Sequence, residues 1–147
     1  ALAAAVGCMQ SQLASSPNAI SQHASLAALR GGAAEREQMR QAFAARAQIV
    51  VEALRAIPGL DCPAPSGAFY VFPRLGAYLG RTDPGSGRCV RTGEDLAELL
   101  LEADQVATMG GGSFGAADAI RLAFATSEEV LREALRRLSA RLAALRP

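Results

Sequence analysis

The pattern of apolar and polar positions predicts a long helix from about Ala34 to Ile57. Apolar side chains recur there every third or fourth residue, which is the spacing of one helix face, and charged residues occupy the other positions. The apolar positions are Met39, Phe43, Ala47, Val50, Leu54 and Ile57. Pro58 and Gly59 end the pattern. Such a helix would be roughly 36 Å long, a length at which helices often bridge two domains.

Two shorter helices are predicted nearer the C-terminus by the same period. Thr92 and Asp95 form a potential capping box for the first, and Thr126 with Glu129 forms one for the last. The apolar stripe of the first is Leu96, Leu99, Leu100 and Ala103. That of the last is Leu131, Leu135, Leu138, Leu142 and Leu145. The arginine-rich runs of the last helix are interpreted as a solvated face.

The opening of the chain is also helical in pattern, and it starts without a capping residue. The segment SSPNAISQHASLAALRGG then predicts a helix with Ser16 as its N-cap, Pro17 as its first residue and Gly31 at its end. The inner stripe of this helix is Ile20, Ala24, Ala27 and Ala28. Such small side chains would let a neighbouring helix or subunit approach closely.

Short extended runs separate the helices. Leu60–Cys62 and Ala68–Phe72 are predicted strands, and Val106–Met109 is predicted to pair with Ile120–Ala125 in a hairpin. The polar, glycine-rich stretch Gly80–Arg91 is expected to be an exposed loop. The order of helix, strands, helix, strands and helix predicts a small α/β sandwich.

One arginine interrupts an apolar strand pattern. Side chains alternate between the two faces of a strand, so Arg121 shares its face with Ala123 and Ala125. Burying an unpaired guanidinium costs several kcal/mol, so Arg121 must find a carboxylate or carbonyl partner, reach solvent or bind a ligand. From the pattern alone, an internal ion pair is the simplest explanation.

Other candidate motifs carry weaker signals. The tract GGGSFG at Gly110–Gly115 could wrap an anion with its backbone amides, but an extended run follows it where a P-loop would have a helix. A turn is therefore predicted. The single histidine, His23, and the three widely spaced cysteines predict neither a metal site nor a disulfide framework.

Composition narrows the possible partners. The net charge of +1 argues against a broad nucleic-acid surface, and no apolar run approaches the roughly 18 residues of a membrane span. Together with the cysteine pattern, these features predict a soluble, cytoplasmic protein. All fifteen basic residues are arginine, so no lysine is present to form a Schiff base.

Three segments, taken in order, resemble the C-terminal part of the class I and II aminotransferases. These fold-type I enzymes depend on pyridoxal 5'-phosphate, and the aspartate aminotransferase-like branch is the most similar. The segments are MQSQLASSPNAISQHASLAAL, GAFYVFP and IRLAFATSEEVLREALRRL. The resemblance implies an α/β fold with a short, mostly antiparallel sheet covered by helices and a long interdomain helix. Residues 34–147 would form the small C-terminal domain, and residues 1–33 a helical remnant of the large cofactor-binding domain.

The resemblance also implies roles for particular residues. Arg121 matches the arginine that grips the α-carboxylate of the amino acid substrate through two parallel charge-assisted hydrogen bonds. Phe69, in the GAFY run, would wall the substrate pocket. The segment around Ser16 resembles one that approaches the active site of a partner subunit, which implies a homodimer. Here Ser16 replaces a family asparagine, and GGGSFG replaces the common PGSAFG.

The implied activity is the transfer of an amino group from an amino acid to a 2-oxo acid. In the family, the cofactor-binding lysine and the phosphate cup belong to a large domain that precedes this sequence, so the chain alone is expected to be inactive. Two alternatives stay open: a stand-alone binding or regulatory module derived from the fold, and part of a pyridoxal-phosphate-dependent lyase or synthase. The particular amino acid substrate is not predicted.

Overall fold

The computed structural model describes all 147 residues, which form five α-helices and one three-stranded sheet. The helices are α1 (Leu2–Leu13), α2 (Ala19–Arg30), α3 (Ala33–Arg55), α4 (Gly93–Asp104) and α5 (Glu128–Ala144). The strands are β1 (Tyr70–Val71), β2 (Met109–Gly110) and β3 (Ile120–Ala123). The chain divides into two compact units, Ala1–Met39 and Arg40–Pro147, so the boundary falls within α3.

The sheet has β3 at its centre, with β1 and β2 paired antiparallel on either side. This confirms the predicted α/β class and the predicted hairpin pairing. The strands are shorter than predicted, and the expected strand at Leu60–Cys62 contributes only an isolated bridge between Asp61 and Arg74. A chain that crosses a neighbour at one residue pair gains only that pair's hydrogen bonds and does not form a longer ladder.

The core of the second unit is made by one face each of α3, α4 and α5 against the sheet. Its fully buried side chains include Leu54, Leu75, Leu96, Leu100, Ile120, Phe124, Leu138 and Leu142. The predicted leucines of α5 are confirmed. In α4, Ala103 is exposed. In α3 the predicted face is fully buried only from Val50 onward: Phe43 and Ala47 are partly buried against the core, and Met39, which belongs to the first unit, is exposed.

Two predicted helix starts were wrong by one or two residues. Asn18, and not Ser16, caps α2: its side chain accepts a hydrogen bond from the Ser21 amide at 2.8 Å, and Pro17 lies outside the helix. Ser127, and not Thr126, caps α5. A capping residue has an extended backbone, and its side chain accepts a hydrogen bond from the amide three residues ahead. Judged by sequence alone, neighbouring polar residues are almost equally good candidates for this position. The capping box of α4 is confirmed.

The glycine-rich segment Gly80–Arg91 is a loop, as predicted, but it is exposed only in part, mainly at residues 84–87. Val90 is fully buried and Asp83 is only 2% exposed. The Asp83 carboxylate accepts hydrogen bonds from Ser86 and, at 2.7 Å, from Arg141 of α5. Arg141 also donates to Asp104 at the end of α4, so the arginine-rich face of α5 is not solvated throughout. This ion-pair network anchors the segment to the two helices.

The first unit exposes most of its apolar side chains. In α1 these are Leu2, Val6, Met9 and Leu13, and in α2 they include Ile20 and Leu29. The predicted stripe of small residues on α2 is likewise exposed. No helix of the protein combines the length and the apolarity that crossing a membrane requires.

Candidate functional site

The central strand and its two neighbours bring four side chains to one face of the sheet. Met109 of β2 lies directly opposite Arg121 in the ladder, and Tyr70 of β1 lies opposite Ala123. Since side chains opposite each other in a ladder share a face, Arg121, Met109, Tyr70 and Ala123 point the same way. The side chain of Ile120 is buried on the other face, as the alternation predicted.

The guanidinium of Arg121 contacts a thioether and two aromatic rings. Its Nη2 donates to the Sδ of Met109 at 2.7 Å. Its Cζ lies 4.4 Å from the centroid of the Tyr70 ring and 4.5 Å from that of Phe114. Rings at this distance attract a cation through their quadrupoles. The residue stays partly accessible to solvent.

No carboxylate of the second unit pairs with Arg121. The ion pairs of that unit are made by other arginines, among them Arg74, Arg88, Arg132, Arg136, Arg137 and Arg141. The internal ion pair that the strand pattern favoured is therefore not formed within this unit. A thioether is a weak acceptor, so Met109 leaves the positive charge of Arg121 uncompensated and free to attract an anion.

Phe69 lies beside this group and does not contact the guanidinium. The residue is 40% exposed, and the centroid of its ring lies 4.4 Å from that of Tyr70 and 6.2 Å from that of Phe43. The carbonyl of Phe69 accepts from the Phe124 amide at 2.9 Å, which continues the β1–β3 pairing. Just before it, Ala68 has a φ of 59°, a left-handed conformation that is strained for a residue other than glycine.

The glycine tract after β2 forms a turn, as predicted, and a carboxylate from α4 fixes it. The Oε1 of Glu94 accepts from the Gly112 amide at 2.7 Å. A methyl group added at Gly112 would come within 2.6 Å of the same oxygen. The amide that could have bound a phosphate is therefore already satisfied. The 3₁₀ helix at Gly112–Phe114 carries the Phe114 ring onto Arg121.

Arg121 and Phe69 are the site residues that the sequence predicts, and the residues that contact the guanidinium are not among them. Tyr70 belongs to the same GAFY run as Phe69, and the predicted hairpin register could have placed Met109 opposite Arg121. Phe114 left no comparable signal, because its position depends on the conformation of the turn that follows β2.

Comparison with known proteins identifies the family. A family model described as aminotransferase class I and II matches residues 1–138. The chain belongs to the class I and II aminotransferases. It is 43% identical over 136 residues to an aspartate aminotransferase of Rhizobium meliloti, covering 92% of this chain and 33% of that protein. It is 40% identical over 141 residues to an aspartate/prephenate aminotransferase of Cereibacter sphaeroides, covering 96% and 35%.

Solved aminotransferase structures share the fold. The crystal structure of the aspartate aminotransferase from Rhizobium meliloti superposes with a TM-score of 0.88 at 41% identity, over 95% of this chain and 34% of that one. The aspartate aminotransferase of Thermotoga maritima gives a TM-score of 0.72 at 35% identity, over 94% and 32%. This class I and II aminotransferase chain thus spans about a third of the length of its relatives and corresponds to their C-terminal part.

Proposed function

We propose that this chain is the C-terminal part of an enzyme that moves an amino group from an amino acid to a 2-oxo acid, and that Arg121 binds the substrate α-carboxylate. The observation that carries the proposal is the Arg121 guanidinium, which is partly exposed on the sheet face and has no carboxylate partner in its unit. The family membership supplies the reaction class.

Both partners of such a transfer carry a carboxylate beside the reacting carbon, so one arginine serves both. Two N–H groups of Arg121 would donate to the two carboxylate oxygens, which fixes the direction in which the reacting carbon points. Charge-assisted hydrogen bonds of this kind are roughly twice as strong as neutral ones. A carboxylate therefore displaces the Met109 sulfur readily if it needs the same N–H.

Phe69 would form one wall of the pocket in which this carboxylate binds. Support comes from its half-exposed ring, which packs against Tyr70, itself a neighbour of Arg121. An apolar wall excludes water and so strengthens the attraction between guanidinium and carboxylate.

Pyridoxal 5'-phosphate would supply the electron sink for this reaction when bound, but the residues of this chain do not fit it. The chain has fifteen arginines and no lysine, so no side-chain amine can form an imine with the cofactor. The Gly112 amide that could bind phosphate already donates to Glu94. The contribution of this chain is thus to bind and orient the substrate.

Residues 1–33 would belong to a large cofactor-binding domain, and the complete enzyme would be a homodimer. Support for both comes from the resemblance of the segment around Ser16 and from the exposed apolar side chains of α1 and α2. Large apolar side chains left in water favour association with another surface.

An amino-transfer assay on the complete product of the gene encoding this chain tests the proposal. With pyridoxal phosphate, aspartate and a 2-oxo acid, we expect one new amino acid to form for each aspartate consumed, and no activity from the 147-residue chain alone. Release of carbon dioxide or ammonia without transfer would favour a lyase, and binding without turnover would favour a regulatory module.

A further inference from the structure

The two rings that contact Arg121 come from opposite sides of its strand. Tyr70 lies on β1, and Phe114 follows β2, while Arg121 lies on the central strand between them. Both ring centroids lie within 4.5 Å of the guanidinium carbon. The arginine head is therefore flanked by aromatic surface contributed from both neighbours of β3.

Each ring is itself held by further contacts. Tyr70 packs against Phe69 with centroids 4.4 Å apart. Phe114 packs edge-on against Phe72, with centroids 6.1 Å apart and planes at 86°, a geometry that aromatic pairs favour. The turn that carries Phe114 is in turn fixed by Glu94 through the Gly112 amide. The rings are thus fixed surfaces that restrict the guanidinium.

Aromatic rings beside a guanidinium leave the edge that carries its N–H groups open to a ligand. The N–H groups of arginine lie in the plane of its head and donate outward along that plane, whereas aromatic rings stack on its faces. Met109 accepts one of these N–H groups. The remaining in-plane donors suit a planar carboxylate that binds through both of its oxygens.

We propose that Tyr70 and Phe114 are positioning residues, which hold the Arg121 guanidinium so that its in-plane N–H groups face the substrate carboxylate. This inference rests on the proposed function. The rings do not touch the substrate, and they act through Arg121 by removing the side-chain freedom that binding would otherwise have to restrict.

Kinetics of the complete gene product test this role. For Tyr70→Leu and Phe114→Leu, we expect KM for the amino acid and for the 2-oxo acid to rise about three- to tenfold with a smaller change in kcat. Tyr70→Phe and Phe114→Tyr keep a ring and should restore KM to near the wild-type value. Leu101→Ala, which changes an exposed apolar side chain of α4, should leave both constants unchanged.

A second measurement follows the guanidinium directly in the 147-residue chain. The side-chain N–H protons of Arg121 should show ring-current shifts in NMR spectra that Phe114→Leu reduces, since the Tyr70 ring remains, and that Phe114→Tyr retains. If the wild-type enzyme transfers no amino group, the proposed function fails, while these shifts still report on the contact. If transfer is normal and the leucine variants keep the wild-type KM, or if the shifts are absent, the positioning role is wrong.

Discussion

Arg121 and Met109 face each other across the β2–β3 ladder, and the Nη2 of the arginine donates to the Sδ of the methionine at 2.7 Å. An acidic residue opposite Arg121 would neutralise it, because opposite charges on facing strand positions attract. A thioether fills the same space without competing for the charge. The position opposite the arginine thus keeps it available for a ligand.

Met109→Glu should therefore improve stability and impair binding. A carboxylate opposite Arg121 is expected to raise the free energy of unfolding by about 0.5 kcal/mol. It should also raise KM for both substrates about twofold, because the substrate must displace a charged partner worth the same amount, about 0.5 kcal/mol. Met109→Gln, of similar size and neutral, is the control and should change KM much less. Equal KM values for the two variants would contradict the argument.

Gly93 is expected to be intolerant of any side chain. It opens α4 and is buried, and an added Cβ would overlap the backbone carbonyl of Ala119. Gly93→Ala should lower the free energy of unfolding by about 1–3 kcal/mol, although alanine is the better helix former. Gly76→Ala, where no atom lies within 4 Å of the new Cβ, should be neutral or slightly stabilising. Denaturant titration of both variants decides whether the two positions differ in this way.

The helices and their apolar faces could be predicted because their signals are local. The capping box of Thr92 and Asp95 and the leucines of α5 depend on residues only a few positions apart. The caps at Asn18 and Ser127 were missed because neighbouring polar residues offered equivalent caps. Only the three-dimensional backbone decides which of them takes the extended conformation.

The contacts that build the candidate site could be predicted only in part. Arg121 was singled out because a charge in an apolar strand is unusual, but its aromatic neighbours depend on strand order and on a turn conformation. The pair of Asp83 and Arg141 joins residues 58 positions apart, and no sequence period links them. Both cases need the tertiary fold, which brings distant segments together.

Arg141 is expected to contribute far more to stability than the exposed arginines of the same helix. Its side chain is 19% exposed and pairs with the buried Asp83, so Arg141→Leu leaves a carboxylate buried without its partner. We expect a loss of about 3 kcal/mol. Arg132→Leu removes an exposed pair with Glu128 and should cost less than about 0.5 kcal/mol. Similar unfolding free energies for the two variants would show that the buried ion pair stabilises the fold no more than the exposed one.

Asp83 should make the free energy of unfolding depend on pH in the acidic range. Burial raises the pKa of its carboxyl, but hydrogen bonds from Ser86 and Arg141 outweigh burial and bring the pKa below its ordinary value. The native state thus favours the ionised form, and this stabilisation is present above the unfolded pKa of about 3.9. It is lost as the pH falls through the lower, folded pKa.

Asp83→Asn should accordingly be less stable than the wild type at pH 7, and the difference should shrink as the pH falls below about 4. Urea titrations at neutral and acidic pH measure this difference. A gap that stays constant from neutral pH to about pH 2 would mean that the ionic form of Asp83 contributes nothing.

The most direct test of the account is the kinetics of Arg121→Leu and Arg121→Lys in the complete gene product. Arg121→Leu should raise KM for both substrates and lower kcat severely, while the fold and the cofactor absorbance persist, because the lost contact orients the substrate. Arg121→Lys should restore only part of the activity that Arg121→Leu loses, because an ammonium cannot donate two parallel hydrogen bonds to one carboxylate. Near-normal kinetics of Arg121→Leu would contradict the assignment of this arginine to the substrate carboxylate.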